Sequence, residues 1–350
     1  MRVGVVGAGI MGASAAMALA GRGHEVTIFE RFPLRHAKGS SHGRSRIIRK
    51  AYPDPFYTAI MDEAYGLWRE LERFSTERIM FERGLLYFGP FESENLRDIL
   101  TGLEQVGVTH EVLDHDQVRT VCPDLRLELG EIGIFTPEAG WVHAERAIQT
   151  CHERLLGLGG TIRDNCRVEA EWLEKQFDRY VLCPGPWITD FVHVPVLVTL
   201  QTFGYVSRRG GLDGPVWIDD CPELFYGFPS EPGEASFKIG VHDLGPEFSP
   251  EDPNRPPHPE HMEAITREAE RRFGVVDPQI EFRGCLYTNT ANDDFLLGRH
   301  GDKGFFASAC SGHGFKFGLW IGRKLAAFVE EKDAPENHPR FCWPEPLLEA

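Results

Sequence analysis

The chain has 350 residues, 42% of them hydrophobic, which is enough for two domains sharing an interface, and it carries 53 acidic against 37 basic residues for a formal net charge of -16. That balance lacks the electrostatic footprint of a nucleic-acid or anionic-membrane partner, and no window approaches the roughly 20 apolar residues of a membrane span. The eight cysteines (122, 151, 166, 183, 221, 285, 310 and 342) include no CxxC pair, so reduced thiols are expected in place of a zinc site or a disulfide framework.

The first 30 residues predict strand, glycine turn, helix, strand and acid. Val3, Val5 and Val6 form a short apolar run, and Gly7, Gly9 and Gly12 follow at GxGxxG spacing. The first glycine permits a tight turn, the second lets backbone approach a pyrophosphate, and the third lets helix and strand pack closely. Ala13 to Arg22 supplies the helix and Gly23 ends it. Val26, Ile28 and Phe29 then bring Glu30 toward ribose hydroxyls. The motif points to a dinucleotide but does not choose between NAD and FAD. A functional strand starting at Arg2 leaves no expected signal peptide, so a cytoplasmic protein is predicted.

Residues 31–52 form a basic, serine- and glycine-rich loop ending in Arg46-Ile47-Ile48-Arg49. In a helical turn the two arginines would share a face, a fit for a carboxylate or phosphate clamp, with a solvated charge cluster as the plainer reading. Residues 53–73 predict an amphipathic helix, 84–89 a strand, 92–106 a helix and 132–142 extended segments around a turn. A helix over 143–156, a strand at 159–162 and a buried strand at 177–185 return to the nucleotide fold. From Val194 the pattern becomes strand-rich, over 194–208, 224–230 and 235–243, before a loop and a helix at 261–273. Phe305 to Cys310 predicts a further strand, and Ser311-Gly312-His313-Gly314-Phe315-Lys316 a second glycine turn opening a helix that reaches about Glu331. Such a turn turns backbone N–H groups and a positive dipole end toward something electron-rich.

The fold class expected is therefore α/β, α+β overall. A discontinuous Rossmann-like domain (1–82, 138–193 and 284–350) would carry an inserted antiparallel substrate domain (83–137 and 194–283).

SSHGRSRIIRKAY, YGFP, KIGVH, CLYTNT and SGHGFKF, in that order behind GAGIMG and Glu30, closely resemble the monomeric sarcosine oxidase family, which includes pipecolate and N-methyltryptophan oxidases. The resemblance runs from Val3 to about Phe328. It implies FAD, held by Gly7, Gly9, Gly12, Glu30, Ser45, Arg46, Val168, Gly312, Gly314 and Lys316 and attached covalently through Cys285. It implies Arg49 and Lys316 as binders of a substrate carboxylate, with Tyr287 at the substrate. Lys238 matches the lysine that promotes reaction with oxygen, and His242, Tyr226 and Arg46 complete the implied catalytic set. The implied activity is FAD-dependent oxidation of a secondary or cyclic α-amino acid to an imine, with O2 reduced to hydrogen peroxide, by a monomer. A dehydrogenase passing electrons to a carrier and a non-catalytic flavin-binding subunit are the alternatives. Three departures stand out: a shortened stretch from Val168 to Tyr180, Ser308-Ala309-Cys310 in place of the usual glycine and phenylalanine, and a tail, Phe341 to Ala350, without counterpart.

Overall fold

The structure is a computed structural model that describes residues 1–308 and 310–343. A six-stranded sheet has the order Leu296–His300, Gly304–Ser308, Arg179–Leu182, Arg2–Val6, Glu25–Phe29, Thr161–Arg163. All its pairings are parallel except the edge hairpin formed by the first two strands named. Parallel strands are covered on both faces, which is why the neighbours Val5 and Val6, which point to opposite faces, are both buried, each in a different apolar cluster. On one face the helix Ile10–Gly21 packs against the helix Gly318–Val329, where Ser14 Oγ donates to the Gly318 carbonyl at 2.7 Å. On the other face lie Leu173, Tyr180, Ile188 and Phe306.

An eight-stranded sheet runs Ile280–Asn289, Leu197–Ser207, Ser236–Val241, Phe225–Phe228, Val216–Asp219, Leu85–Pro90, Glu131–Thr136, Glu111–Leu113. It is antiparallel apart from the pairing of Val216–Asp219 with Leu85–Pro90. Period-two alternation gives it two faces of different character. Leu86, Trp217, Phe225, Phe237 and Ile239 pack toward the helix Pro259–Phe273. Tyr87, Ile218, Tyr226 and Gly240 stand opposite one another in register on the other face, and Phe228 stands opposite Lys238 two residues along. That second face becomes the wall of the site.

A small sheet pairs Ser45–Ile48 and Met80–Glu82 with Gly140–His143. Arg46 therefore lies in a strand, with Arg49 just past its end, and the two do not sit on the helical turn in which their spacing would place them on one face. The strand's pairing of Ser45 with His143 and Ile48 with Gly140 is a contact between residues distant in sequence, which local periodicity cannot report. The boundary expected at residue 284 falls inside Ile280–Asn289, which pairs with Leu197–Ser207 along its length, so Cys285 sits on the eight-stranded sheet. The shortened stretch after Val168 is the helix Ala170–Gln176. Of the tail, Phe341 is buried and Cys342 bridges to Leu297, whereas Ala309 and residues 344–350 lie outside the described residues. Among the described residues no helix is long and apolar enough to cross a membrane, and no group of three or more His, Cys, Asp or Glu side chains is arranged to hold a metal ion. The eight cysteines are free thiols.

Candidate active site

The glycine turn at the end of Arg2–Val6 opens into a cavity of about 810 Å³. Gly7 has φ +94°, and a Cβ there would run into the Cys183 carbonyl oxygen. A Cβ on Gly12 would run into the Gly7 carbonyl, so both positions are closed by backbone. Gly9 differs, because the nearest atom to its Cβ would be Ser41 Oγ at 3.1 Å. It is the N-cap of Ile10–Gly21 and offers no side chain to the free N–H groups, one of which, that of Ile10, donates to Ser41 Oγ at 3.3 Å. The Glu30 carboxylate, at the end of the second strand, accepts from the N–H groups of Ala8 and Phe32, each at 3.0 Å, and lies 3.4 Å from His36 Nε2. Burial pushes this carboxyl up, but His36 and the two amides outweigh it and hold the group below the usual carboxylate range. An open helix N-terminus, a small-residue approach and an ionised acceptor at the strand end together fit a diphosphate and a ribose diol. Val168 lines the same cavity.

The second glycine turn forms the facing wall. Ser311 and Gly312 have φ +38° and +71°, and a Cβ on Gly312 would come within 2.6 Å of His242 Cε1 and would also overlap the Tyr287 ring. A Cβ on Gly314 would lie 3.4 Å from Met11 Cε, so the two turns back on each other. Arg46 is pinned by donating to the carbonyls of Ser45 (2.9 Å), Ser40 (2.8 Å) and His42 (2.6 Å), with Ser45 itself buried. Lys238 is buried, its ammonium 4.3 Å from the Phe203 ring centre and 5.0 Å from that of Phe228. Burial, then Arg46, lowers it to about 7. Cys285 is buried two residues before Tyr287 on the same face; burial raises its thiol, while Arg46 and Lys238 act in the opposite direction.

Two basic side chains beyond this wall meet at Tyr52. The Arg49 guanidinium stacks 4.1 Å over the Tyr52 ring and donates to the Ala51 carbonyl. Lys316 Nζ donates to the Tyr52 hydroxyl at 2.9 Å and to the His313 carbonyl at 3.0 Å. Burial, then Arg49, pushes Lys316 well below its ordinary value. His242 falls to about 4 through burial, Arg49 and Lys316 in that order, so its imidazole is neutral near pH 7. Burial raises Tyr226 to about 12 and Tyr287 well above the usual phenol range.

Every site residue expected from the sequence lines this cavity except Gly12, which sits behind the turn as packing. Tyr52, Phe203, Phe228 and His313 line it too and were not singled out. Tyr52 and His313 lie within RIIRKAY and SGHG, so proximity to Arg49 and Lys316 was a usable signal for them. For Phe203 and Phe228 only sheet register carries the information.

The FAD dependent oxidoreductase family model matches residues 2–328. Peroxisomal sarcosine oxidase of Mus musculus is 30% identical over 92% of this chain and 90% of its own length. Monomeric sarcosine oxidase of Streptomyces avermitilis is 29% identical over 92% and 91%. The open form of NikD, described as an unusual amino acid oxidase essential for nikkomycin biosynthesis, superposes with a TM-score of 0.85 at 22% identity, covering 99% of this chain and 98% of that one. At that identity the likeness is one of fold.

Proposed function

The chain belongs to the FAD dependent oxidoreductase family, and from that premise we propose that it oxidises a secondary or cyclic α-amino acid with O2 as acceptor. One observation carries the reading: two basic side chains, Arg49 and Lys316, meet at Tyr52 beside the sheet face that bears Lys238 and His242. Arg49 and Lys316, which have no carboxylate partner of their own among the described residues, form a receptor for a small anion, and a carboxylate matches the guanidinium fork. Holding that carboxylate fixes the α-carbon and amine relative to the wall, so orientation is prepaid. When bound, FAD supplies the two-electron acceptor that takes a hydride equivalent from the substrate carbon and passes the electrons to O2, giving an imine and hydrogen peroxide.

The chain's own residues do the rest. Gly7, Gly9 and Glu30 would hold the dinucleotide, Ser45, Arg46, Val168, Gly312 and Gly314 would contact it, and Cys285 would carry a covalent link to it. Neutral His242 faces the amine as a hydrogen-bond acceptor, while Tyr226 and Tyr287 wall off water. Lys238 in its cationic form stabilises negative charge developing on oxygen. The enzyme acts as a cytoplasmic monomer in this reading.

One portion of purified protein is precipitated with acid to see where the flavin goes, and an untreated portion is assayed for peroxide with sarcosine, L-pipecolate and N-methyl-L-tryptophan. A yellow pellet and peroxide from at least one amine are expected. A yellow supernatant would remove the link through Cys285, and flavin-loaded protein that yields no peroxide from any of the three would overturn the oxidase reading.

A further inference from the structure

We infer, resting on the amino-acid oxidase reading above, that Lys316, Tyr52 and His313 form a relay that carries the proton lost by the substrate ammonium out to the surface at Asp293. An amine can give up a hydride equivalent only with its nitrogen lone pair free, so an amino acid that arrives as its zwitterion must first lose one N–H proton. The clamp lies inside a buried wall, and that proton needs a route.

The hydrogen bonds define one and set its direction. His313 Nε2 lies 2.9 Å from the exposed Asp293 carbonyl, which only accepts, so Nε2 bears the hydrogen and Nδ1 is bare. Nδ1 lies 3.3 Å from the Tyr52 hydroxyl, which must therefore donate to it. The Tyr52 oxygen in turn accepts from Lys316 Nζ at 2.9 Å. Lys316 directs a second hydrogen to the His313 carbonyl at 3.0 Å, which leaves one position on Nζ for the cavity that it lines. Every link thus donates toward the surface.

In the transfer, Lys316 begins as the neutral amine, its two hydrogens on Tyr52 and the His313 carbonyl and its lone pair toward the cavity; one N–H bond of the substrate breaks as one forms at Lys316 Nζ, which makes Lys316 the second cation beside Arg49 until the proton moves on. Lys316 gives a hydrogen to Tyr52 Oη, Tyr52 gives its own to His313 Nδ1, and His313 releases the Nε2 hydrogen to solvent beside Asp293. Each residue ends with the hydrogens it began with, the net change is one proton moved outward, and nothing is oxidised or reduced. Return of the hydroxyl and imidazole to their starting orientations resets the chain. Imidazole suits the last position because it can accept at one nitrogen while it releases at the other.

The surroundings keep the proton moving. Arg49 stacks over Tyr52, and Phe295 and Phe317 flank the imidazole, with ring centres 4.9 Å and 5.8 Å away. Tyr57, 5.1 Å from the imidazole, spends its hydroxyl on Asp294, and Arg340 also binds that carboxylate, so neither Tyr57 nor Asp294 is free to capture the proton. Burial, Lys316, His242 and Arg49 all disfavour imidazolium at His313, while only its bond to Asp293 favours it. A group that cannot keep a proton passes it on.

His313→Gln and Tyr52→Phe in the FAD-loaded protein test the relay, with sarcosine as the probe under anaerobic stopped flow and a pH-indicator dye. Flavin reduction and dye-detected proton release are expected to slow together by about tenfold or more near neutral pH. The defect should shrink as the pH approaches the pKa of the substrate amine in solution, where the amine arrives already neutral. A loss that is the same at every pH, or wild-type proton release in His313→Gln, would overturn the relay and leave these residues as packing. The tautomer of His313 in 15N-labelled wild-type holoprotein gives a reading independent of turnover: hydrogen on Nε2 supports the relay and hydrogen on Nδ1 overturns it. Wild-type protein that sarcosine does not reduce would count against the oxidase reading, and the tautomer would still decide the relay.

Discussion

A single lysine shows how burial becomes reactivity. Lys238 sits on a strand where an ordinary lysine would reach solvent, but period-two alternation turns it inward between Phe203 and Phe228. Leaving water and facing Arg46 brings it to about 7, so near neutral pH it exists in both forms. The cation is the form present below that value and lost above it. Reoxidation of the reduced enzyme by O2 is therefore expected to slow as pH rises through about 7 in the wild type. Lys238→Met should slow reoxidation far more than flavin reduction and abolish that pH dependence. Stopped-flow measurement of the two half-reactions checks both statements, and equal slowing of the halves would remove the oxygen role from Lys238. Its neighbourhood was legible in FKIGVH only through family resemblance. The aromatic pair that holds it comes from two other strands and left no mark nearby in sequence.

Among the elements, the opening helix and the last one show what small residues do. Ile10–Gly21 is apolar nearly all round because it is covered on several sides, and Gly318–Val329 lies directly across it. Gly318 and Gly322, one helical turn apart, are the points of closest approach. A Cβ on Gly318 would stand 2.5 Å from Ile10 Cγ1, and one on Gly322 would stand 2.6 Å from the Ala15 backbone nitrogen. Gly322→Ala is expected to push the helices apart, lower stability by about 1–3 kcal/mol and loosen FAD, because Ile10 also opens the nucleotide turn. Chemical denaturation and flavin retention on gel filtration measure the two effects. Most helices were legible from apolar spacing and caps: 53–73 is Pro55–Glu72 behind the Asp54 cap, and 261–273 is Pro259–Phe273. Ser45–Ile48 was not, because its strand character depends on a partner at Gly140–His143.

At the scale of the molecule, the eight-stranded sheet and the helix beneath it are tied by a buried charge network. Arg272 Nε donates to Asp219 at 2.7 Å and its two terminal nitrogens donate to Glu131 at 2.7 Å each, with the side chain 1% exposed. Removing it would take the guanidinium from Glu131 and leave buried Asp219 with Arg271 alone, so Arg272→Ala should cost about 3–5 kcal/mol in urea unfolding. Flavin reduction in protein that remains folded should be unchanged, since Arg272 does not line the cavity. Burial and then Asp219 push Glu268 up to about 8, so the folded chain binds a proton there that the unfolded chain releases near the ordinary carboxyl value of 4.5. Unfolding then releases protons between those values, and stability contributed by this group falls as pH rises across the window. Glu268→Gln, a stand-in for the protonated acid, should flatten that slope in unfolding measured at several pH values. None of this network was anticipated, because its members come from three separate stretches of chain. The sequence by itself determined what is local: the glycine turn with its strand, helix and acid, the main helices, and the ordered motifs that mark the family. Only tertiary structure decided which face of each strand meets the cavity, that Arg49 and Lys316 converge on Tyr52, and that Cys285 belongs to the eight-stranded sheet. The reason is physical: turns and helices are set by residues a few positions apart, whereas sheet register and convergence of charge are fixed by pairing between segments that sequence separates.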